Sequence, residues 1–342
     1  MKGVAIIVLL FVLGVSFLCS AETKKPITLR LVTPTPEGDY PQTYRDKELA
    51  KRFNGRAKGE YAIEVYAGGA LAKLPEYFDA VRVGAVDMAF SNWGMFSFLD
   101  GRLGLLELPF LFANNYATNE ACRYLLPMYD QIFQERFNAK GLGMMNTGGL
   151  NLFSTKPVRS LEDWKGLLVG AVSPPTAMLI KGLGGSPVTI MFFDLYESLQ
   201  KKVIDAATLS AHGGVVFGLP TVCKHYTVFY GISAFAGYTV NLDVWRKMPK
   251  HIQKILEEET EKSAEWMKGI ILGELLDADL KAMREKGVSI HVLPKEERER
   301  WVRALAPQVE KQLGEFGEFG NRLKRIADEV NKRHPYSERG LY

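Results

Sequence analysis

Two neighbouring stretches decide how this chain folds: residues 153–172, FSTKPVRSLEDWKGLLVGAV, and residues 184–206, GGSPVTIMFFDLYESLQKKVIDA. In the first, Asp163 and Gly166 form a turn that feeds a β-branched and small-residue run, read as a strand over 169–173. A helix is expected over 174–183, opened by the proline pair Pro174 and Pro175. In the second, Pro187 ends a connection, and Leu195, Leu199 and Val203 recur on one face of a helix over 195–202 that runs into a strand over 203–207. Gly182, Gly184 and Gly185 look like part of a phosphate loop, but their order is wrong for one; they read as a helix-to-strand turn.

Upstream, the same alternation is present. Strands are expected over 27–33, 61–66, 86–90 and 141–147, with helices over 44–56 and 75–83 between the first three. Strand, helix, strand at this spacing indicates right-handed crossovers and a mainly parallel sheet. Two α/β lobes are therefore expected before residue 232. Beyond Pro249, Ile252, Ile255, Leu256, Trp266, Ile270 and Leu275 recur among charges, an amphipathic helix over 250–283 long enough to bridge both lobes. A helical tail over 295–333 follows. Lobe one is read as 25–146 plus 234–272, and lobe two as 147–233 plus 273–333 with the C-terminal helices.

Of the 342 residues, 47% are hydrophobic and 24% charged, the composition of a globular protein large enough for two domains. With 43 Lys and Arg against 39 Asp and Glu, the net charge of +4 is too small for a nucleic-acid footprint, and no nucleic-acid partner is expected. The apolar run 4–17 after Lys2 has the length of a signal-peptide core and falls short of a membrane span. Cys19, Ser20 and Ala21 give small residues at the two specificity positions of a cut after Ala21, so residues 1–21 are read as a leader and the mature chain as periplasmic. Cys19 follows Leu18 rather than a small residue, which makes lipidation the lesser alternative. The mature chain keeps Cys122 and Cys223; an oxidising compartment permits a bridge, and two buried thiols are the other reading.

Enzyme signatures are missing: there is no G-x-S-x-G, Walker or H-E-x-x-H pattern and no dinucleotide fingerprint. His212, His225 and His251 have no carboxylate or cysteine at catalytic or ligand spacing and read as structural or solvated. The acidic run Glu257, Glu258, Glu259 and Glu261 reads as a solvated helix face. No metal, no cofactor and no catalysis are expected.

With these residues in view, the chain resembles the substrate-binding P components, of DctP type, of tripartite ATP-independent periplasmic (TRAP) transporters. Lys156, Pro157, Asp163, Lys165, Gly166, Gly185, Pro187, Phe192, Tyr196, Leu199, Gln200 and Asp205 fall in step with that family's pattern. Residues 55–69, 83–88, 108–112 and 241–249 agree in family order. The resemblance implies a two-lobed periplasmic binding fold with mixed sheets, hinge strands and a long bridging helix. It also implies a receptor that passes a small-molecule ligand to small and large TRAP membrane subunits. Plain folding explains Pro187, Tyr196, Leu199 and Asp205.

The departures carry the specificity argument. Where the family keeps an arginine that pairs with the ligand carboxylate, this chain has Gly170; a second cleft arginine aligns with Leu150, and a polar asparagine aligns with Leu209, with Thr208 beside it. No arginine or lysine lies between Lys165 and Lys181, so a slip of register does not restore the fork. Phe192 is the family's aromatic against the ligand, and Trp93 and Thr33 complete the expected site. The pattern resembles TRAP receptors that work with a TPR-repeat lipoprotein partner and take hydrophobic ligands. The alternatives are a carboxylate receptor rebuilt around Arg45 or Lys73, an exported enzyme on the same fold, and a scaffold at the cell surface.

Overall fold

The computed structural model describes residues 25–38 and 41–338, so the expected leader at 1–21 lies outside the described residues. Lobe one is built on a five-stranded sheet. It takes β1 (Ile27–Thr33), β2 (Tyr61–Ala67), β3 (Met88–Asn92), β4 (Ala139–Asn146) and β10 (Phe235–Asn241) in the order β2-β1-β3-β10-β4. The first three are parallel, and β10 runs antiparallel between β3 and β4. Lobe two has six strands: β5 (Leu150–Ser154), β6 (Leu168–Ala171), β7 (Ser186–Thr189), β8 (Ala206–Leu209), β9 (His225–Ile232) and β11 (Ser289–Val292), in the order β11-β9-β5-β8-β6-β7. Both sheets are mixed, and the fold is the two-lobed α/β architecture.

The helices fill the faces of these sheets. In lobe one they are α1 (Pro41–Arg56), α2 (Tyr77–Arg82), α3 (Gly101–Gly104) and α4 (Asn115–Arg136). In lobe two they are α5 (Pro174–Gly182), α6 (Leu195–Gln200), α7 (Ala211–Val216) and α8 (Leu219–Val222). After α9 (Leu242–Lys247) come α10 (Lys250–Leu272), α11 (Glu274–Glu285), α12 (Lys295–Glu315) and α13 (Gly317–Arg333). The pattern of the chain marks no helix over 115–136, yet α4 is a principal wall of lobe one, with Ala117, Ala121, Leu125, Tyr129 and Phe133 in its core. Its start is fixed by Asn114, whose side chain accepts the Ala117 N–H.

Among the described residues, the chain passes between the lobes at residues 147–149 between β4 and β5, Ser233 and Ala234 between β9 and β10, Gly273 between α10 and α11, and Phe316 between α12 and α13, and it returns to lobe two after α13, where the Tyr336 hydroxyl donates to the Leu293 carbonyl. The helix expected over 250–283 is two helices. A Cβ at Gly273 would stand 2.5 Å from the carbonyl oxygen of Gly269, so only glycine lets the backbone fold this closely and break the helix. α10 remains on lobe one through Ile252, Leu256 and Met267, whereas α11 sends Leu280 and Met283 into lobe two.

Two further expectations are corrected, and the cysteines follow one of their two readings, that of buried thiols. The tail does not all belong to lobe two: Trp301 and Leu305 of α12 do, but Leu323, Ala327 and Val330 of α13 enter the lobe-one core beside α4. The acidic run is a solvated face at Glu257 and Glu261 but not at Glu259, which is fully buried and takes Arg52, Arg56 and Lys262 at 2.7 Å each, tying α1 to α10. Its three cationic partners hold its carboxyl down at about 2 against the cost of burial. Cys122 and Cys223 are free, buried thiols in the cores of different lobes.

Candidate functional site

The strand ends of both lobes point at one cleft, as ligand-binding crevices of open α/β sheets do. From lobe one, the chain leaves β1 at Pro34 and Thr35, and β3 presents Phe90 and Asn92, with Met95 and Glu107 beside them. Lobe two answers with Leu150 opening β5, Val172 just past β6, Leu209 closing β8, and Phe192, Val216 and Phe217. Thr147, Gly148 and Ala234, from two of the hinge passages, make the floor. The space between the walls is about 990 Å3 counted out to solvent.

Its polar groups are few and mostly occupied with one another. Asn92 donates to Thr147 Oγ1 at 2.9 Å, and Thr147 donates onward to the Ala234 carbonyl. Among the described residues, the lining includes no arginine, lysine or histidine, and its single ionisable side chain is Glu107. Ser173 Oγ, at the start of α5, donates to Glu107 Oε2 at 2.9 Å, a hydrogen bond across the two lobes. Burial pushes the Glu107 carboxyl up to about 7, with the Ser173 bond drawing it partly back. The lobe-two wall holds the aromatics Phe192 and Phe217, ring centroids 5.6 Å apart, and the exposed Phe193 packs on both at 3.8 and 5.8 Å.

Of the six expected site residues, the structure brings three together in this cleft, Leu150, Phe192 and Leu209. Gly170 is buried on β6 facing lobe two's own interior. A Cβ there would meet Leu195 Cδ2 at 2.6 Å and Ile204 Cδ1 at 3.1 Å, so the space an arginine would need is filled. Trp93 is also a correction: it is fully buried in lobe one, edge-on to Phe133 at 4.6 Å and packed on Gly237. Thr33 is buried one residue short of the lining, which begins at Pro34.

Neither alternative cation reaches the cleft. Arg45 is buried, pairs with Asp46 through Nε and Nη2 at 2.9 and 2.8 Å, and lies 3.6 Å behind the Phe90 ring, which covers it. Lys73 is exposed on lobe one away from the lining. The reading of the histidines is revised at two of them: Asp279, 67 residues away in the chain, reaches His212 Nδ1 at 3.1 Å, and Glu60 Oε1 lies 2.9 Å from Nε2 of the exposed His251. Glu107, Phe217 and Val216 were invisible to motif reasoning; an acid directly before an apolar run was the only trace of the first.

Two lobes joined by several passages face each other across a lined cleft, the arrangement of a protein that can enclose a small molecule between them. The chain belongs to the DctP family, bacterial extracellular solute-binding protein family 7, whose model matches residues 35–315. It is similar to the C4-dicarboxylate-binding periplasmic protein DctP of Rhodobacter capsulatus, 27% identical over 301 residues, covering 83% of this chain and 85% of that one. The fold matches a TRAP periplasmic solute-binding protein of Chromohalobacter salexigens solved with bound D-glucuronate. That match has a TM-score of 0.81 and 21% identity, and covers 88% of this chain and 99% of the other. It also matches an extracytoplasmic solute receptor of Bordetella pertussis that binds pyroglutamic acid, with a TM-score of 0.82, 18% identity and the same two coverages.

Proposed function

We propose that this protein is the periplasmic receptor of a TRAP-type uptake system and that its ligand is apolar and neutral. The observation that carries the ligand class is the absence of any cationic side chain from the described lining of the cleft, with a buried carboxyl, Glu107, as its one ionisable group. Solved relatives hold glucuronate and pyroglutamic acid, both acids. An acid in this cleft would be an unpaired carboxylate beside a second carboxyl, and burying such a charge costs several kcal/mol. An apolar ligand instead gains about 25 cal/mol for each Å2 that it and residues such as Leu150, Phe192 and Leu209 remove from water.

The receptor passes its ligand to the small and large membrane subunits, and a TPR-repeat lipoprotein is a further partner on this reading. Ligand binding favours the closed arrangement of the lobes through contacts made to both walls. Native mass spectrometry of what co-purifies with the protein, followed by calorimetry, tests the proposal. A neutral, apolar companion is expected, with no heat from glucuronate or C4 dicarboxylates. Tight binding of those acids would overturn the ligand class and leave the receptor role standing.

A further inference from the structure

The cleft carries one polar group that its own walls leave half served, the Glu107 carboxyl. Oε2 takes the Ser173 hydroxyl at 2.9 Å, and Thr176 Oγ1 backs that hydroxyl at 2.8 Å. Oε1 takes no hydrogen bond from any described residue, yet it is not sealed in the interior, and the space it opens to is the cleft that Glu107 lines. Gly94 makes the room for it: a Cβ there would stand 2.5 Å from Oε1 and 2.4 Å from the carboxyl carbon. Both lobes build this position, Glu107 coming from lobe one and Ser173 and Thr176 standing at the start of α5 in lobe two.

No charge compensates the carboxyl. The turn over residues 93–97 and the start of α5 at residues 173–176 carry no titratable side chain, and Leu105 and Leu106 precede Glu107. Burial and the Ser173 bond alone set the carboxyl at about 7, so acid and carboxylate are both populated at neutral pH. A ligand group that meets Oε1 has to suit both forms. An ammonium suits only the carboxylate, and a ketone or ester oxygen suits only the acid. A hydroxyl serves either, because it donates to the carboxylate and both donates to and accepts from the acid. A methyl group in the same place would take Oε1 out of water without a partner, which is costly.

We infer that Glu107 is a specificity-determining residue of the cleft, selecting a neutral ligand whose apolar body carries one hydroxyl group set against Oε1. The body lies on Met95, Leu150, Phe192, Leu209 and Phe217, which line the same space. This rests on the reading of the ligand as neutral and apolar, and adds to it the single polar group the ligand carries and the atom that meets it.

Three probes of one shape test it by calorimetry at pH 6 and pH 8.5: 1-phenylethanol, its methyl counterpart cumene, and the ammonium ion of 1-phenylethylamine. Glu107→Leu should lower the ratio of 1-phenylethanol affinity to cumene affinity at least roughly tenfold, and should do so at both pH values. In the unaltered protein, labelled with 13C at glutamate Cδ, the carboxyl resonance that titrates near pH 7 should move with the alcohol and stay with cumene. The ammonium should bind more weakly than the alcohol. A ratio that Glu107→Leu leaves unchanged, or a resonance unmoved by the alcohol, would overturn the inference and leave the neutral, apolar cleft standing. Tighter binding of the ammonium, or no binding of either neutral probe, would overturn both. The resonance of the unaltered protein keeps the test decisive if the variant does not fold.

Discussion

Exchanging Glu107 for Gln removes the charge of the cleft carboxyl while keeping its size and an oxygen for Ser173. Burial holds this carboxyl at about 7, against an ordinary value of 4.5. The folded chain therefore binds more protons than the unfolded chain between these two values, and its stability falls as pH rises through that window. At about 1.4 kcal/mol for each pH unit separating them, complete ionisation costs the folded chain about 3 kcal/mol. The full stability is present below about pH 4.5 and lost as pH rises through about 7. Urea unfolding of both proteins from pH 4 to pH 8.5 measures it, and the difference between them cancels titrations common to both. The two should be about equally stable at pH 4. The Gln variant should be the more stable by about 3 kcal/mol at pH 8.5. A difference that stays constant with pH, or a Gln variant weaker at high pH, would refute the argument that this carboxyl is ionised at a cost inside the cleft.

Gly170→Arg should lower stability by about 3 kcal/mol or more, because its Cβ already meets Leu195, and should bring no glucuronate binding in calorimetry. Leu209→Arg, by contrast, adds a guanidinium to the cleft wall and should raise glucuronate affinity roughly 10- to 100-fold, the worth of a charge-assisted hydrogen bond; no gain would show that charge is not what excludes acids. Glu259→Gln should cost about 3 kcal/mol in urea unfolding at neutral pH by stripping three cations of their shared buried partner. Since that carboxyl is held at about 2, the gap should persist above pH 4.5 and close as pH falls through about 2. Cys122 and Cys223 should both react with a thiol reagent after unfolding without reductant and resist it when folded, burial having pushed the Cys223 thiol up to about 12; a disulfide in the mass spectrum would contradict their placement in separate cores.

The sequence by itself determined what depends on neighbours along the chain. Alternation of short apolar runs with helical periodicity placed β1, α1 and β2 within a few residues, because β2 and α1 each keep an exposed side that their pattern reports and β1 is a short apolar run stopped by Pro34. It also excluded an arginine from the family's carboxylate position, since a missing side chain is visible without coordinates. Strands β9 and β10 were illegible for the opposite reason: from Tyr226 to Ile232 and from Phe235 to Asn241 every residue is buried, so no alternation remains to be read. Only the tertiary structure decided which apolar residues face the cleft. Leu150 and Leu209 do because β5 and β8 pair antiparallel with Asn151 opposite Leu209, whereas Trp93, with the same chemistry, turns into the lobe-one core. The same holds for charge. Glu259 and Glu258 are adjacent in the chain, but the docking of α10 on α1 buries the first among three cations and leaves the second half-exposed, paired with Arg56 at the surface. His212 and Asp279 meet only because α11 folds back on α7 after the break at Gly273, a contact that no spacing along the chain encodes.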